Sequence, residues 1–379
     1  MAAAVATAAT LVITGARIVR LGGDPSRFVV AGDTFVDRVT APPALAILPA
    51  SNGYDGQFFY RLALDPFTSQ QTAFGIALDL PARRQQRILY PLAAWCISGG
   101  DPVRVAWALI GLNVAGMGIL GWLGALWARE CGRHALYGLA FPAYPGFVLT
   151  LGRDLSEILA ACLALAGLLA LRRQRGLAAG VWLALAVLAR ESALLIVLAV
   201  AAVWLWEQVG RSRGAGRDLP TSASLGFAIP LGCAAVWQVV LRARWNMFPA
   251  TTAIDAFGVP FVALAQFVVR APFINSQVRT LQVFELAFLA LCVGTVGLSL
   301  RTSAARRYEK VAWAFALASA VSFSGFVWLE DFAFMRVLTE LYVLGTIILF
   351  GRRDRLVALL AAAAGLLWVT SGVMHVRVI

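Results

Sequence analysis

The sequence predicts an all-α protein, a polytopic bundle of about eleven transmembrane helices with one long extracytoplasmic segment that carries short helices. Three observations lead there. Of 379 residues, 60% belong to the hydrophobic set and 14% are charged, with a mean hydropathy of +0.78. A soluble domain sits nearer 45–50% apolar and about 25% charged, so this chain would show water more apolar surface than it tolerates. The apolar residues also fall in long runs bounded by charge, and the short loops on one side are all basic.

A helix needs roughly 20 residues to cross about 30 Å of hydrocarbon. On that scale the expected spans are 2–19, 105–128, 135–151, 158–171, 177–189, 192–206, 221–241, 281–300, 311–329, 332–350 and 356–374. The first lacks a basic leader region and reads as a span rather than a signal peptide. The chain is then one membrane domain over 1–379, with 1–19 as first span, 20–104 as extracytoplasmic segment and 105–379 as the remaining spans and loops. With residue 1 cytoplasmic, the inner loops 129–134, 172–176, 207–220, 301–310 and 351–355 hold 15 basic and five acidic residues. Positive inner loops set orientation, so most of the net charge of +12 is a topology signal and implies no nucleic acid. Between spans, 257–269 is a 13-residue apolar run, too short to cross comfortably and expected to be re-entrant or interfacial. A composition rich in alanine and arginine, with Lys310 as the one lysine, fits a GC-rich bacterial genome. The expected location is the bacterial cytoplasmic (inner) membrane.

Five separated cysteines and two distant histidines offer no disulfide framework and no zinc or haem pattern. Asp55 and Glu157 lack a cation-binding spacing, so no metal or other cofactor is assigned, and a divalent ion is left open.

The charged motifs all fall on the outer side: Tyr54-Asp55-Gly56-Gln57, Arg83-Arg84-Gln85-Gln86-Arg87, Arg153-Asp154-Leu155-Ser156-Glu157, Arg190-Glu191, and Glu330-Asp331 with Arg336. The 14 residues from Gly176 to Ala189 make about 21 Å of helix, which leaves Arg190 and Glu191 below the outer boundary. Charges at such depth cost about 2.5–3.5 kcal/mol and face a bundle interior or wet cavity. Each pair alone reads equally well as a structural ion pair; together they predict a polar pit open to the outer leaflet. Gly53 and Gly56 bracket Asp55 in a tight turn that would present it outward, with Phe58, Phe59 and Tyr60 placed in the interface. Arginine's planar fork suits phosphate, and Arg83 and Arg87, four apart, would share a helix face with Arg84 beside them.

Through GYDGQFFYRLALDPF (53–67), RRQQRILYPLAAW (83–95), GRDLSE (152–157), LARE (188–191) and FAFMRVLTELYVLG (332–345), the chain resembles bacterial multi-pass proteins of cell-surface glycopolymer formation. It is similar through them to membrane glycosyltransferases of the GT-C superfamily. The resemblance implies a polyprenyl-phosphate sugar donor, a glycan or lipid-linked acceptor from the cell envelope, and an active site at the extracytoplasmic face. Asp55 falls where that superfamily places an acidic residue, as general base on the acceptor hydroxyl or as its orienter. Arg83, Arg84, Arg87, Arg153 and Arg190 are implied donor-phosphate ligands. Glu157 and Glu191 would orient them or the sugar, Tyr54 and Gln57 complete the donor set, and Asp154, Asp331 and Arg336 are further candidates. Related protein mannosyltransferases carry an Asp-Glu dyad, whereas Gly56 and Gln57 follow Asp55 here, so neither a protein acceptor nor a two-carboxylate scheme carries over. Acceptor recognition is expected from the loops or a partner. The rival readings are a flippase of lipid-linked sugars and a non-catalytic subunit of an envelope assembly.

Overall fold

The computed structural model describes residues 1–209, 219, 221–249, 251, 256–270, 277–329, 333–352 and 355–378. It is mostly helical. Among the described residues, six helices are long and apolar enough to cross a membrane: Ala2–Arg20, Pro102–Glu130, Glu191–Val209, Ser222–Trp245, Thr280–Ser299 and Leu356–Arg377.

The other expected spans are shorter or interrupted. Pro142 and Pro145 separate a 3-10 turn, Ala135–Ala140, from a seven-residue helix, Gly146–Gly152, because proline blocks helical hydrogen bonding and restrains the residue before it. The 311–329 stretch breaks after Val321 and resumes at Gly325. The 332–350 stretch divides between Ala333–Val337 and Thr339–Phe350. Glu157–Arg172 and Gly176–Ala189 are continuous at 16 and 14 residues. Within 257–269 the helix is Val262–Arg270, nine residues, or about 14 Å, well short of a crossing.

These breaks put helix ends beside the charged side chains of Arg153, Arg190 and Arg336. Irregular backbone at membrane depth is stable only where protein or water covers it. Residues 20–104 form a folded cap rather than a loose loop, and its Gly56 packs on the Arg153 carbonyl. A parallel pairing of Ala31–Gly32 with Ile47–Leu48, the helix Gly56–Leu64, the hairpin Thr72–Ala73/Ile76–Ala77 and the helices Pro81–Gln86 and Leu89–Ser98 build it. Its core sets Phe59, Tyr60, Tyr90 and Ala94 against Val105, Ala106 and Leu109 of the Pro102–Glu130 helix. Phe58, Phe59 and Tyr60 are 3%, 4% and 0% exposed; they anchor the cap instead of lying in the lipid interface.

Small residues set the helix spacing. A Cβ on Gly138 would lie 2.2 Å from the Ala125 nitrogen, and one on Gly124 2.4 Å from the Gly138 carbonyl oxygen, the close approach glycine permits between membrane helices. At the far end of the Glu157–Arg172 helix, Arg172 grips Glu309 through two bonds of 2.7 and 2.9 Å and lies 4.4 Å from the centre of the Trp127 ring. Glu309 also accepts from the Arg306 backbone N–H at 2.8 Å. Because Glu309 is fully buried, its removal strands a guanidinium at a cost of about 3–5 kcal/mol. Glu309→Ala is expected to lower the apparent melting temperature in detergent well beyond the effect of Glu130→Ala, whose partner Arg173 is 41% exposed.

Candidate functional site

Asp55 stands at the start of the Gly56–Leu64 helix, and the turn before it depends on glycine. Gly53 has φ +65°, and a Cβ on Gly56 would meet the Arg153 carbonyl oxygen at 2.4 Å and that of Val29 at 2.7 Å. Gly56 therefore seats the Asp55 turn against the Gly152–Glu157 turn. Gln57 holds the same loop together: its carbonyl accepts from Gly32 N–H at 3.1 Å and its amide donates to Asn52 O at 2.9 Å. At 1% exposure, Gln57 is a loop brace and does not face the site.

The Asp55 carboxylate points inward, at 16% side-chain exposure, and not outward as the bracketing glycines suggest. Arg84 Nη1 donates to Oδ1 at 2.6 Å and Arg336 Nη2 to Oδ2 at 2.7 Å. Pro81 opens the Pro81–Gln86 helix, its fixed φ suiting the first helical turn, and so sets Arg83 and Arg84. Asp79 then grips Arg84 at Nε (2.8 Å) and Nη2 (2.7 Å), while the guanidinium covers the Phe58 ring at 4.2 Å. The helix stops at Gln86, so Arg83 and Arg87 do not share a continuous helical face. Arg87 caps it and makes a two-bond pair with Glu191, at 2.8 and 2.5 Å. All three arginines still border one small cleft with Asp55, Phe58 and Phe59. At about 10 Å³ it has room for roughly one water.

Behind this layer Glu157, 1% exposed, lies 3.4 Å from Arg190 and 3.5 Å from Arg336. Arg190 also donates to the Arg336 carbonyl at 3.0 Å. It occupies the extended residue that ends the Gly176–Ala189 helix, and Glu191 follows at the start of the next helical turn. The Tyr54 ring lies 4.0 Å from the Arg153 guanidinium and 5.0 Å from that of Arg336. Among the described residues, six arginines (83, 84, 87, 153, 190 and 336) surround four carboxylates (Asp55, Asp79, Glu157 and Glu191).

Arg336 is a principal member of the network, on a par with Arg84. Asp79 is a member that sequence reasoning missed; the signal available was an acid two residues before a helix-opening proline and five before Arg84. Asp154 does not join. It is fully buried in the left-handed region, φ 48°, and neither oxygen accepts a hydrogen bond among the described residues. Burial pushes its carboxyl far above the usual range, with Arg17 only partly opposing. Asp331 lies outside the described residues. No group of three or more His, Cys, Asp or Glu among the described residues is arranged to hold a metal ion. No family model matches the chain, and neither a curated protein nor a solved structure is similar to it.

Burial alone would raise the Asp55 carboxyl, but Arg84, Arg336 and Arg87 outweigh it and hold the group well below the usual carboxylate range. A depressed folded pKa contributes stability that is complete above the unfolded value, about 3.9, and is lost as pH falls through the folded one. Asp55→Asn is therefore expected to lower thermal stability by an amount that is constant from pH 8 to pH 5 and shrinks only below about pH 4. Thermal unfolding of both proteins in one detergent across that range measures it.

Proposed function

We propose that the chain is a GT-C-type glycosyltransferase of the bacterial cytoplasmic membrane, with a cytoplasmic N-terminus and about eleven passes that include the short and broken helices. It moves a sugar from a polyprenyl-phosphate donor to a glycan or lipid-linked acceptor of the cell envelope, at the extracytoplasmic face. The observation that carries the reading is Asp55 held between Arg84 and Arg336 inside an arginine-rich layer where several helices begin, end or break.

A cluster of guanidinium groups in a partly dry setting suits a phosphate, which arginine binds through paired hydrogen bonds. The acceptor oxygen attacks the anomeric carbon, the bond from that carbon to the phosphate oxygen breaks, and polyprenyl phosphate leaves with the electron pair. Charge grows on the phosphate during that step, and prepositioned arginines stabilise it there more than in the ground state. Asp55 gripped by two arginines is a poor base. When the donor phosphate takes up Arg84 and Arg336, the carboxylate is released to orient the acceptor hydroxyl and receive its proton within hydrogen-bond reach. Tyr54, stacked on Arg153 and Arg336, supplies an aromatic face beside the sugar. The charged layer lies at one end of the Glu157–Arg172 helix, and the closed Arg172–Glu309 clamp at the other. One-sided access of this kind favours a transferase over a flippase, which needs polar groups open to each face in turn.

Sugar transfer in nanodiscs from a panel of radiolabelled polyprenyl-phosphate sugars to envelope extracts tests the reading. Asp55→Asn is expected to retain donor binding and lose about 10²-fold or more of the transfer rate. Arg336→Gln is expected to weaken donor binding as well. Wild-type protein that transfers from none of the donors, yet translocates a lipid-linked sugar in liposomes, would replace the enzyme with the flippase.

A further inference from the structure

Charge is spread unevenly over the cap. Residues 24–38 carry five charged side chains, whereas 66–78 and 88–100 carry none. The two charge-free stretches meet at the C-terminal end of the Gly56–Leu64 helix. A Cβ on Gly100 would lie 2.9 Å from the Leu64 carbonyl oxygen and 3.3 Å from Trp95 Nε1, so the turn after Leu89–Ser98 crosses that end beside Trp95. The Tyr60 hydroxyl donates to Pro102 O at 3.0 Å and fastens the same corner. On the other flank Arg61, fully buried, donates to the Thr68 hydroxyl at 3.1 Å and lies 5.1 Å from the Phe74 ring. That contact ties the hairpin tip to the turn that carries Phe67.

Phe67, Phe74, Trp95, Ile97 and Val103 are all exposed around this corner and form one apolar rim. Phe74 marks its edge, because Gly75 O accepts from Asp37 N–H at 2.8 Å and charge resumes there. Large apolar side chains gathered in the open mark an interaction surface, and two features identify what covers this one. Val103 belongs to the Pro102–Glu130 helix, so the rim runs on into the exposed side of a helix long and apolar enough to cross a membrane, at Trp107 and Trp122. That helix has 29 residues, about 43 Å, against roughly 40–45 Å for a bilayer with its headgroups. In a bilayer its Pro102 end therefore reaches headgroup level, and the rim beside it does too. Trp95 suits that level, since amphipathic rings collect at the membrane–water boundary, and Ser69, Gln70 and Gln71 beside Phe67 are polar but uncharged.

We infer that the rim beds the cap among the phospholipid headgroups on its side of the membrane. It takes the interfacial place that the buried Phe58, Phe59 and Tyr60 do not. The Gly56–Leu64 helix is nine residues long, about 14 Å, with Asp55 at one end and the rim at the other. The rim therefore fixes how far the charged layer lies from lipid phosphates. The inference needs the chain to sit in a bilayer and goes beyond the transferase reading, whose chemistry it does not use.

Cys96 is exposed between Trp95 and Ile97 and supplies a native probe. Cys131 and Cys233 are changed to serine, and the buried Cys162 and Cys292 stay. A nitroxide is attached to Cys96, or to Phe67→Cys, Trp122→Cys or Thr34→Cys in chains that also carry Cys96→Ser. Power-saturation electron paramagnetic resonance of the full chain in phosphatidylcholine–phosphatidylglycerol nanodiscs compares collisions with oxygen, which prefers lipid, and with a soluble nickel chelate, which stays in water. Thr34 is exposed between Asp33 and Phe35 in a charged stretch and sets the value for water. The oxygen-to-nickel ratio at Cys96 and at Phe67→Cys is expected to exceed that at Thr34→Cys by about threefold or more, as for side chains at a lipid interface. A ratio equal to that of Thr34→Cys at either rim label, with Trp122→Cys still lipid-like, would overturn the rim assignment. A water-like ratio at Trp122→Cys as well would overturn the membrane reading on which it rests.

Discussion

The organisation of the charged layer in this molecule depends on one carboxylate shared by two arginines. Asp55 lies 281 residues from Arg336 in the chain and 29 from Arg84, so its two ion pairs tie the cap to the last third of the bundle. Charges buried in protein are costly unless paired. Pairing here runs from Asp79 through Arg84, Asp55 and Arg336 to Glu157 and Arg190. Each member satisfies its neighbours, and loss of one strands the next, as buried polar networks do.

The network explains why the helices around it are short or broken. A continuous 20-residue helix through Gly176–Ala189 would carry Arg190 and Glu191 away from Glu157 and Arg87. The prolines at 142 and 145 and the turn at Gly152–Glu157 likewise stop helices at the level where Gly56 can pack against Arg153. Regularity is given up where the charged layer is assembled, the usual place for local rules to fail in a protein with a site.

Much of this was legible in the residues. Composition foretold a helical chain with long apolar helices, and the short 177–189 run drew attention to Arg190, which is buried beside Glu157. Asp55, Arg84, Arg87, Arg190 and Glu191 all stood out as charges on the side that the positive-inside rule leaves poor in arginine. Partners could not be read. Nothing in the sequence tells that Arg336 rather than Arg153 would reach Asp55, because that distance is set by packing between remote helices. Gln57 and Asp154 share polar chemistry with their neighbours in the motifs, yet their side chains point elsewhere. Gln57 turns into the loop to satisfy two backbone groups, and Asp154 is turned away by its left-handed backbone. Asp79 was hidden by sitting before a proline, where an acid usually signals only a helix start.

The central proposal is that the doubly paired Asp55 is a resting state and that a phosphate opens it. Cryo-electron microscopy of the full chain in nanodiscs with and without polyprenyl phosphate tests that most directly. The account predicts phosphate density bonded to Arg84 and Arg336, with at least one Asp55 ion pair broken and the carboxylate facing the cleft. Phosphate bound elsewhere, with both Asp55 ion pairs intact, would contradict it.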